Sequence, residues 1–455
     1  MAIIQQFLLD SVGSHFIAVT GSWGIDAAPY NGNSMSVDTK GRIYFPAYYR
    51  EDDAYPYLPQ SGWIGQYSEF GKLKWQRSIG GSNATTWGAD NELLFSSCLS
   101  PDEQYLYVLG STSMGSDNGI LFKYDTSGSA QWKKQIGDSG DNDFYGSVTD
   151  SSGNVYIAGG YSPNAGQGKA NIIKLNSSGV IQWQKFLAST SGYRHMAIDS
   201  SNNIYVCGTI DGGPADCLVV KYNTSGSVQW QKRVTRGSST HYEGSFSIAL
   251  DSSSNVYITG YSNNASSTDD QPFLLKMNSS GTFQWARYFG NYGNSQDNRS
   301  ESVACDKNDD VYVIGMDKTN NSNKDALVVK LNSSGTVQWK RTLGINGVQH
   351  NGYSIQTDSR NNVILGGDFW SSGSTGGYGA RDYFLAKLPS DGSKTGTYSL
   401  NSGSWVYQST SMTVGTSSGW SISNAGQSQS NGGYSVANNS LSEASYTHSS
   451  SSTII

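Results

Sequence analysis

The stretch Ser245-Phe246-Ser247-Ile248-Ala249-Leu250-Asp251 alternates polar and apolar positions, the pattern of a strand with two unlike faces. Ser252-Ser253-Ser254 reads as a turn, and Asn255-Val256-Tyr257-Ile258-Thr259-Gly260 as a second strand. A variable loop (261–271) leads to a third, Pro272-Phe273-Leu274-Leu275-Lys276-Met277. Asn278-Ser279-Ser280-Gly281 is turn chemistry, with glycine in the place that calls for a positive φ, and Thr282-Phe283-Gln284-Trp285-Ala286-Arg287-Tyr288 is a fourth strand. The pattern predicts four antiparallel strands in roughly fifty residues, the size of one propeller blade.

Two landmarks show that this unit recurs. Asp-x-x-x-Asn-Val-Tyr-Ile-x-Gly runs from Asp150 to Gly159, Asp199 to Gly208, Asp251 to Gly260 and Asp306 to Gly315. Weaker copies run from Asp358 to Gly367, around Asp102 to Gly110, and from Asp38 through Tyr44. Lys-x-Asn-x-Ser-Gly-x-x-Gln-Trp and close variants span Lys123 to Trp132, Lys174 to Trp183, Lys221 to Trp230, Lys276 to Trp285 and Lys330 to Trp339. A degenerate copy ends at Trp75, and another begins at Lys387 without a tryptophan. The landmarks alternate strictly, giving seven units.

One such sheet cannot bury both its faces; seven stacked around an axis cover one another and leave only short outer edges. The expected fold is therefore all-β: a seven-bladed propeller over residues 1–394, followed by a Ser/Gly/Asn-rich β arm over 395–455. In each unit the repeated Trp should fill the wedge between neighbouring sheets, and the repeated Asp should close the first turn through side-chain to backbone hydrogen bonds. A parallel β-helix is the rival, but its rungs are shorter and lack two distinct hairpin turns. His15-Phe16-Ile17-Ala18-Val19-Thr20 precedes the first landmark where other units have a fourth strand, and the last unit lacks one. The N-terminal strand is therefore expected to complete the last blade.

Composition sharpens the picture. Of 455 residues only 15% are charged, while Gly numbers 54, Tyr 29 and Trp 12; a helical bundle is excluded. A net charge of -6 argues against a protein that tracks phosphate backbones. No run of 18 apolar residues occurs, so membrane insertion by a helix is not expected. The Met1 start, without a basic n-region, does not read as a secretory signal. Residues 395–455 hold no Lys or Arg and a single acid, Glu443. That composition is typical of disorder, and an ordered segment of this kind needs a surface, either its own ring or a partner subunit.

Catalytic signals are thin. His15, His195, His241, His350 and His448 fall in no zinc-binding pattern, and no phosphate loop or dinucleotide fingerprint is present. Asp306-Lys307-Asn308-Asp309-Asp310 has the alternating oxygens of a calcium loop but falls on the repeat's ordinary turn. No catalytic residue, metal or cofactor is assigned. Cys207 and Cys217 flank a probable hairpin loop and are either close together or two buried free thiols. Aromatic loops are the better lead: Tyr48, Tyr49, Arg50, Tyr55 and Tyr57 cluster in an insertion of the first unit, with Trp63 after it. Trp370 opens a similar loop in the last unit, and Trp405 and Trp420 punctuate the arm. These nine are the candidate interface, suited to protein contact or sugar stacking; a Tyr-rich loop folded over its own blade fits the first cluster equally well.

The landmarks Asp-Ser-Ser-Ser-Asn-Val-Tyr-Ile-Thr-Gly and Lys-Leu-Asn-Ser-Ser-Gly-Thr-Val-Gln-Trp resemble the bacterial β-propeller repeat family called SBBP, over roughly residues 35–395. The resemblance implies a propeller used for binding, with no common catalytic residue. The second landmark is also similar to the Trp-docking repeat of quinoprotein dehydrogenases and outer-membrane assembly propellers, which have eight blades and exported precursors. The signal-less start, the charge-poor composition and the segment Leu388-Pro389-Ser390-Asp391-Gly392-Ser393-Lys394 resemble structural proteins of marine tailed bacteriophages. That resemblance implies a non-enzymatic virion protein assembled in the host cytoplasm, probable place the tail. Its arm would dock on other virion proteins and its loops would face a host-surface glycan or protein. The alternative is an extracellular or periplasmic bacterial binding module, and behind it a glycan-degrading enzyme.

Overall fold

The computed structural model describes residues 2–8, 15–22, 27–28, 35–50, 60–79, 92–112, 118–137, 141–162, 168–188, 190–210, 215–236, 241–264, 270–290, 299–317, 324–370, 382–400, 403–416, 420–425, 429–431, 435–438 and 443–444. Every regular element among them is a strand, arranged as seven antiparallel sheets around an axis, a seven-bladed β-propeller. Blade 5 is typical: His241–Leu250 lines the axis, followed outward by Val256–Asn264, Gln271–Met277 and Phe283–Phe289. In blade 1 the innermost strand is split into Ala27–Ala28 and Ser36–Val37. Blade 7 joins the two ends of the chain: Phe16–Ser22 pairs with Asp382–Leu388 as its fourth strand.

The sequence landmarks bind each blade internally and then to the next. Asp150 Oδ1 accepts the backbone N–H groups of Ser152 and Asn154 at 3.0 and 2.8 Å, while its Oδ2 accepts the Tyr156 hydroxyl at 3.0 Å. Asp251 and Asp306 repeat these bonds, so the calcium-like run at 306–310 spends its first acid on a turn. Blade 2 departs from the expected copy: Ser100, not Asp102, closes its turn, and Asp102 accepts the Ser100 hydroxyl instead.

The tryptophans bridge blades. Trp183 Nε1 donates to Thr224 O of the next blade at 3.1 Å and its ring lies on Gly226; Trp285 does the same to Ser333 O at 3.2 Å and Gly335. Lys276 reaches the same Ser333 carbonyl at 3.0 Å while pairing with Asp251 at 3.4 Å. Glycine is required at these turns on two counts, a φ of +76 to +79° and a ring pressed on its Cα. At the last junction Phe16 pairs with Lys387 as Trp183 pairs with Lys174, and packs on Gly71 of blade 1. The N-terminal strand thus supplies the aromatic ring that the seventh unit lacks.

Every blade carries a further strand on its outer edge. Ala2–Leu8 covers blade 7. The C-terminal segment covers the rest in reverse order: Gly403–Ser409 lies on blade 6, Val414–Thr416 on blade 5 and Trp420–Asn424 on blade 4. Gln429–Asn431 then lies on blade 3, Ser435–Asn438 on blade 2 and Glu443–Ala444 on blade 1. Each pairs antiparallel with the stretch just beyond the landmark Trp, as Lys185–Leu187 follow Trp183 and Arg287–Phe289 follow Trp285. Steps of about eight residues reach some 26 Å when extended, a span on the scale of one blade width. Of the two surfaces open to this segment on sequence grounds, its described strands take the chain's own ring.

Candidate functional site

The turns made by the two landmarks all lie on one face of the ring. On the opposite face, here the loop face, the second and third strands and successive blades are joined by connections largely outside the described residues.

Near the loop face, six innermost strands carry a β-bulge at one equivalent place. The extra residues are Phe95, Tyr145, Arg194, Phe246, Glu301 and Tyr353. Opposite each lies the final glycine of the first landmark: Gly110, Gly159, Gly208, Gly260, Gly315 and Gly367. The bulge drives a carbonyl onto that glycine, so that a Cβ at Gly159 or Gly260 would lie 1.8 Å from Asp143 O or Gly244 O. This explains a glycine that its strand position alone does not.

At the bulges, beside the mouth of the central channel, large side chains of neighbouring blades pack on one another; Phe95, Glu301 and Tyr353 are buried, and Tyr145, Arg194 and Phe246 half-buried. Tyr145 packs against Phe95 at 5.0 Å and carries the Arg194 guanidinium 4.8 Å over its ring. Phe246 lies 5.4 Å from Tyr261, and Arg299 covers both while pairing with Asp270 at 2.8 Å. Glu301 is buried, and its Oε2 has no partner, as has the Ser302 hydroxyl beside it. Burial pushes the Glu301 carboxyl up to about 7; Asp270 reinforces this, while Arg299, Lys324 and Arg194 oppose it.

Below the mouth the channel holds a cavity of about 400 Å³ lined by inner strands of all seven blades. Small polar groups meet there across blades: Ser36 and Ser97 at 2.8 Å, Ser96 and Ser147 at 2.9 Å. His195 is buried beside it, bonded through Nδ1 to the Ile248 backbone, and burial lowers its pKa to about 4. At the junction of blades 4 and 5, Glu243 and Asp216 are buried together; burial and the Asp216 charge raise the Glu243 pKa, and Arg233 pairs with Asp216. Among the described residues no group of three metal-ligating side chains exists.

The residues singled out from sequence do not form one surface. Tyr48 is buried in blade 1, and Trp63 packs on Tyr383 at 5.1 Å while donating Nε1 to Gln76. Tyr49 and Arg50 end the strand Ile43–Arg50, Trp370 ends Val363–Trp370 and Trp420 begins Trp420–Asn424, with nothing described of their side chains. Tyr55 and Tyr57 lie outside the described residues, as does the loop after Trp370. Trp405 is fully buried between blades 6 and 7, ringed by His350, Phe369 and Phe384 at 4.9 to 5.4 Å; the surface it serves is the chain's own. Cys207 and Cys217 are buried free thiols on neighbouring strands. The bulge residues were missed, although aligning the repeats exposes them: a large or charged residue at one fixed place, followed by Ser, Gly or His.

No curated protein matches the chain. Solved structures similar to it include polysaccharide lyase Uly1, with 8% identity, 79% of this chain and 90% of that chain covered, and a TM-score of 0.48. The β-propeller domain of the Trilobed protease from Pyrococcus furiosus is 9% identical over 78% and 94%, with a TM-score of 0.43. Trypanosoma rangeli sialidase is 9% identical over 80% and 55%, also at 0.43. These likenesses are too distant to carry an activity across. The sequence match is more telling: residues 60–324, over half of the chain and the stretch that holds four complete Trp-docked blades, match the family described as outer membrane protein assembly factor BamB, and the chain belongs to that family.

Proposed function

We propose that this chain is a non-enzymatic binding propeller that meets a macromolecular partner at the mouth on its loop face. The observation that carries this reading is the bulge ring. Within seven copies of one frame the landmark residues repeat, whereas the bulge residues run Phe, Tyr, Arg, Phe, Glu, Tyr. A frame held constant around one varied position, partly exposed at Tyr145, Arg194 and Phe246, is how a repeat scaffold builds a binding surface. Two of the acids near the mouth are engaged as partners: Asp270 by Arg299 and Asn263, and Asp216 by Arg233.

Two settings fit. A tail-associated virion protein is supported by the charge-poor Gly/Ser/Asn/Tyr composition, with the arm over 395–455 contributing its outer face to neighbouring virion proteins. A bacterial surface or periplasmic module is supported by the family match, since that family is named for an outer-membrane assembly factor. Purifying the native assembly and identifying its companions by mass spectrometry separates them: capsid and tail proteins in fixed ratio favour the first, envelope proteins the second. Arg194→Gln with Phe246→Ala should strip those companions from a folded ring; unchanged companions would sink the mouth as the contact surface.

A further inference from the structure

We propose that the mouth formed by blades 3 to 6 binds an acidic saccharide, its carboxylates held by Arg194 and its sugar rings by the faces of Tyr145, Phe246 and Tyr261. This rests on the reading of the mouth as the contact surface and names the ligand class.

The chain carries a net charge of -6, yet three cations, Arg194, Arg299 and Lys324, act on the Glu301 carboxyl. Asp270 neutralises Arg299 at 2.8 Å, while Arg194 makes no ion pair with any described residue. Arg194 is half-buried with its guanidinium carbon 4.8 Å over the Tyr145 ring, and its N–H groups bond to no described residue, a fork suited to a carboxylate. Tyr145, Phe246 and Tyr261 are also half-buried, so part of each ring meets solvent beside it. The Glu301 Oε2 and Ser302 Oγ atoms, both buried and without partners, add hydrogen-bonding capacity that nothing in the fold uses. Cation, aromatic face and hydroxyl partner together fit a sugar acid. An acidic peptide fits less well, because an extended peptide is held by main-chain hydrogen bonds along an open strand, whereas this cluster offers side-chain groups: a cation, aromatic rings and a hydroxyl.

Glu301 gives the site a pH signature. The groups around it are Arg299, Asp270, Lys324 and Arg194, and its carboxyl is neutral below about pH 7. Once ionised it repels a bound carboxylate, so affinity should fall as pH rises through that value.

The test is calorimetry on the full chain with a galacturonic acid trimer, a neutral galactose trimer and poly-glutamate. The acid trimer should bind at about pH 6, with the neutral trimer and poly-glutamate at least about tenfold weaker. Arg194→Gln should weaken the acid trimer about tenfold or more without moving the melting midpoint, and Arg194→Lys should restore part of the loss. Between about pH 6 and 8.5 affinity should drop several-fold in the native chain and stay level in Glu301→Gln. Equal binding of the neutral trimer, tighter binding of poly-glutamate, indifference to Arg194→Gln, or no heat at all would each overturn the saccharide assignment. None of these would touch the broader reading, which fails only if substitutions at the mouth leave the native companions in place.

Discussion

At the scale of single residues, the repeat is held by groups whose positions the chemistry fixes. The two kinds of landmark glycine illustrate different demands. Gly260 has ordinary extended backbone but faces a bulge, and a Cβ there would sit 1.8 Å from a carbonyl oxygen. Gly153 has a φ of +79° and open space around it, and its equivalents Asn202 and Asn361 adopt φ of 62 and 66°. Gly260→Ala should therefore cost about 2–4 kcal/mol, whereas Gly153→Asn should change stability by less than about 0.5 kcal/mol. Denaturant unfolding of the two variants checks the contrast; similar losses would mean that space around the glycine is not what matters. The Asp and Trp of each unit were legible in sequence because their spacing is rigid. The bulge was not, because one inserted residue per strand leaves the alternation of Ser245 to Asp251 looking regular.

At the scale of the element, the C-terminal segment behaves as a belt whose hold is uneven. Most of its bonds are backbone to backbone, and sequence-poor Ser/Gly strands suffice for that. Among the described residues Trp405 and Tyr407 are the largest exceptions, fully buried in the cluster that joins blades 6 and 7, and Met412 is buried between blades 5 and 6. Trp405→Ala should cost about 3 kcal/mol at that anchor and loosen the strands that follow. Limited proteolysis should then cut between residues 396 and 444 while the seven-bladed ring stays intact; a variant as resistant as the native chain would show that the belt needs no anchor. Removing residues 396–455 altogether uncovers the outer strands of blades 1 to 6, and such edges pair with one another. That truncated ring should elute as soluble aggregates on size exclusion, and a clean monomer would count against the belt's protective role. From sequence, Trp405 and Trp420 stood out in this segment as candidate contacts, but composition carries no register, so its seat on the chain's own rim was not readable.

At the scale of the whole molecule, buried titratable groups frame the pH range of stability. Glu301 binds its proton more tightly in the fold, at about 7 against an ordinary 4.5, so the stability it contributes is whole below 4.5 and lost as pH climbs to about 7. Burial raises Glu243 in the same direction. His195 and His350 are opposite: burial lowers them to about 4 and about 3 from 6.5, so their share is whole above 6.5 and lost as pH falls towards those values. The melting midpoint should peak near pH 5–6.5, and Glu301→Gln should raise it by a few degrees at about pH 8.5 with little effect near pH 5. A flat profile for that variant pair would remove Glu301 from the account. The seven-fold plan itself was plain from the counted landmarks, and the closing role of Phe16–Ser22 from its place before the first of them.

That closure has a consequence for how the chain is made. His15 bonds Asn362, 347 positions further on, and Phe16 pairs with Lys387. A nascent chain leaving the ribosome therefore stacks its blades as an open arc, with its N-terminal strand pair undocked until nearly the whole ring has been synthesised. Contacts that distant in sequence make folding slow. The belt, emerging last, can settle only on an arc already drawn shut, and it travels from the sixth blade back to the first, so that the blade first translated is the last to be finished.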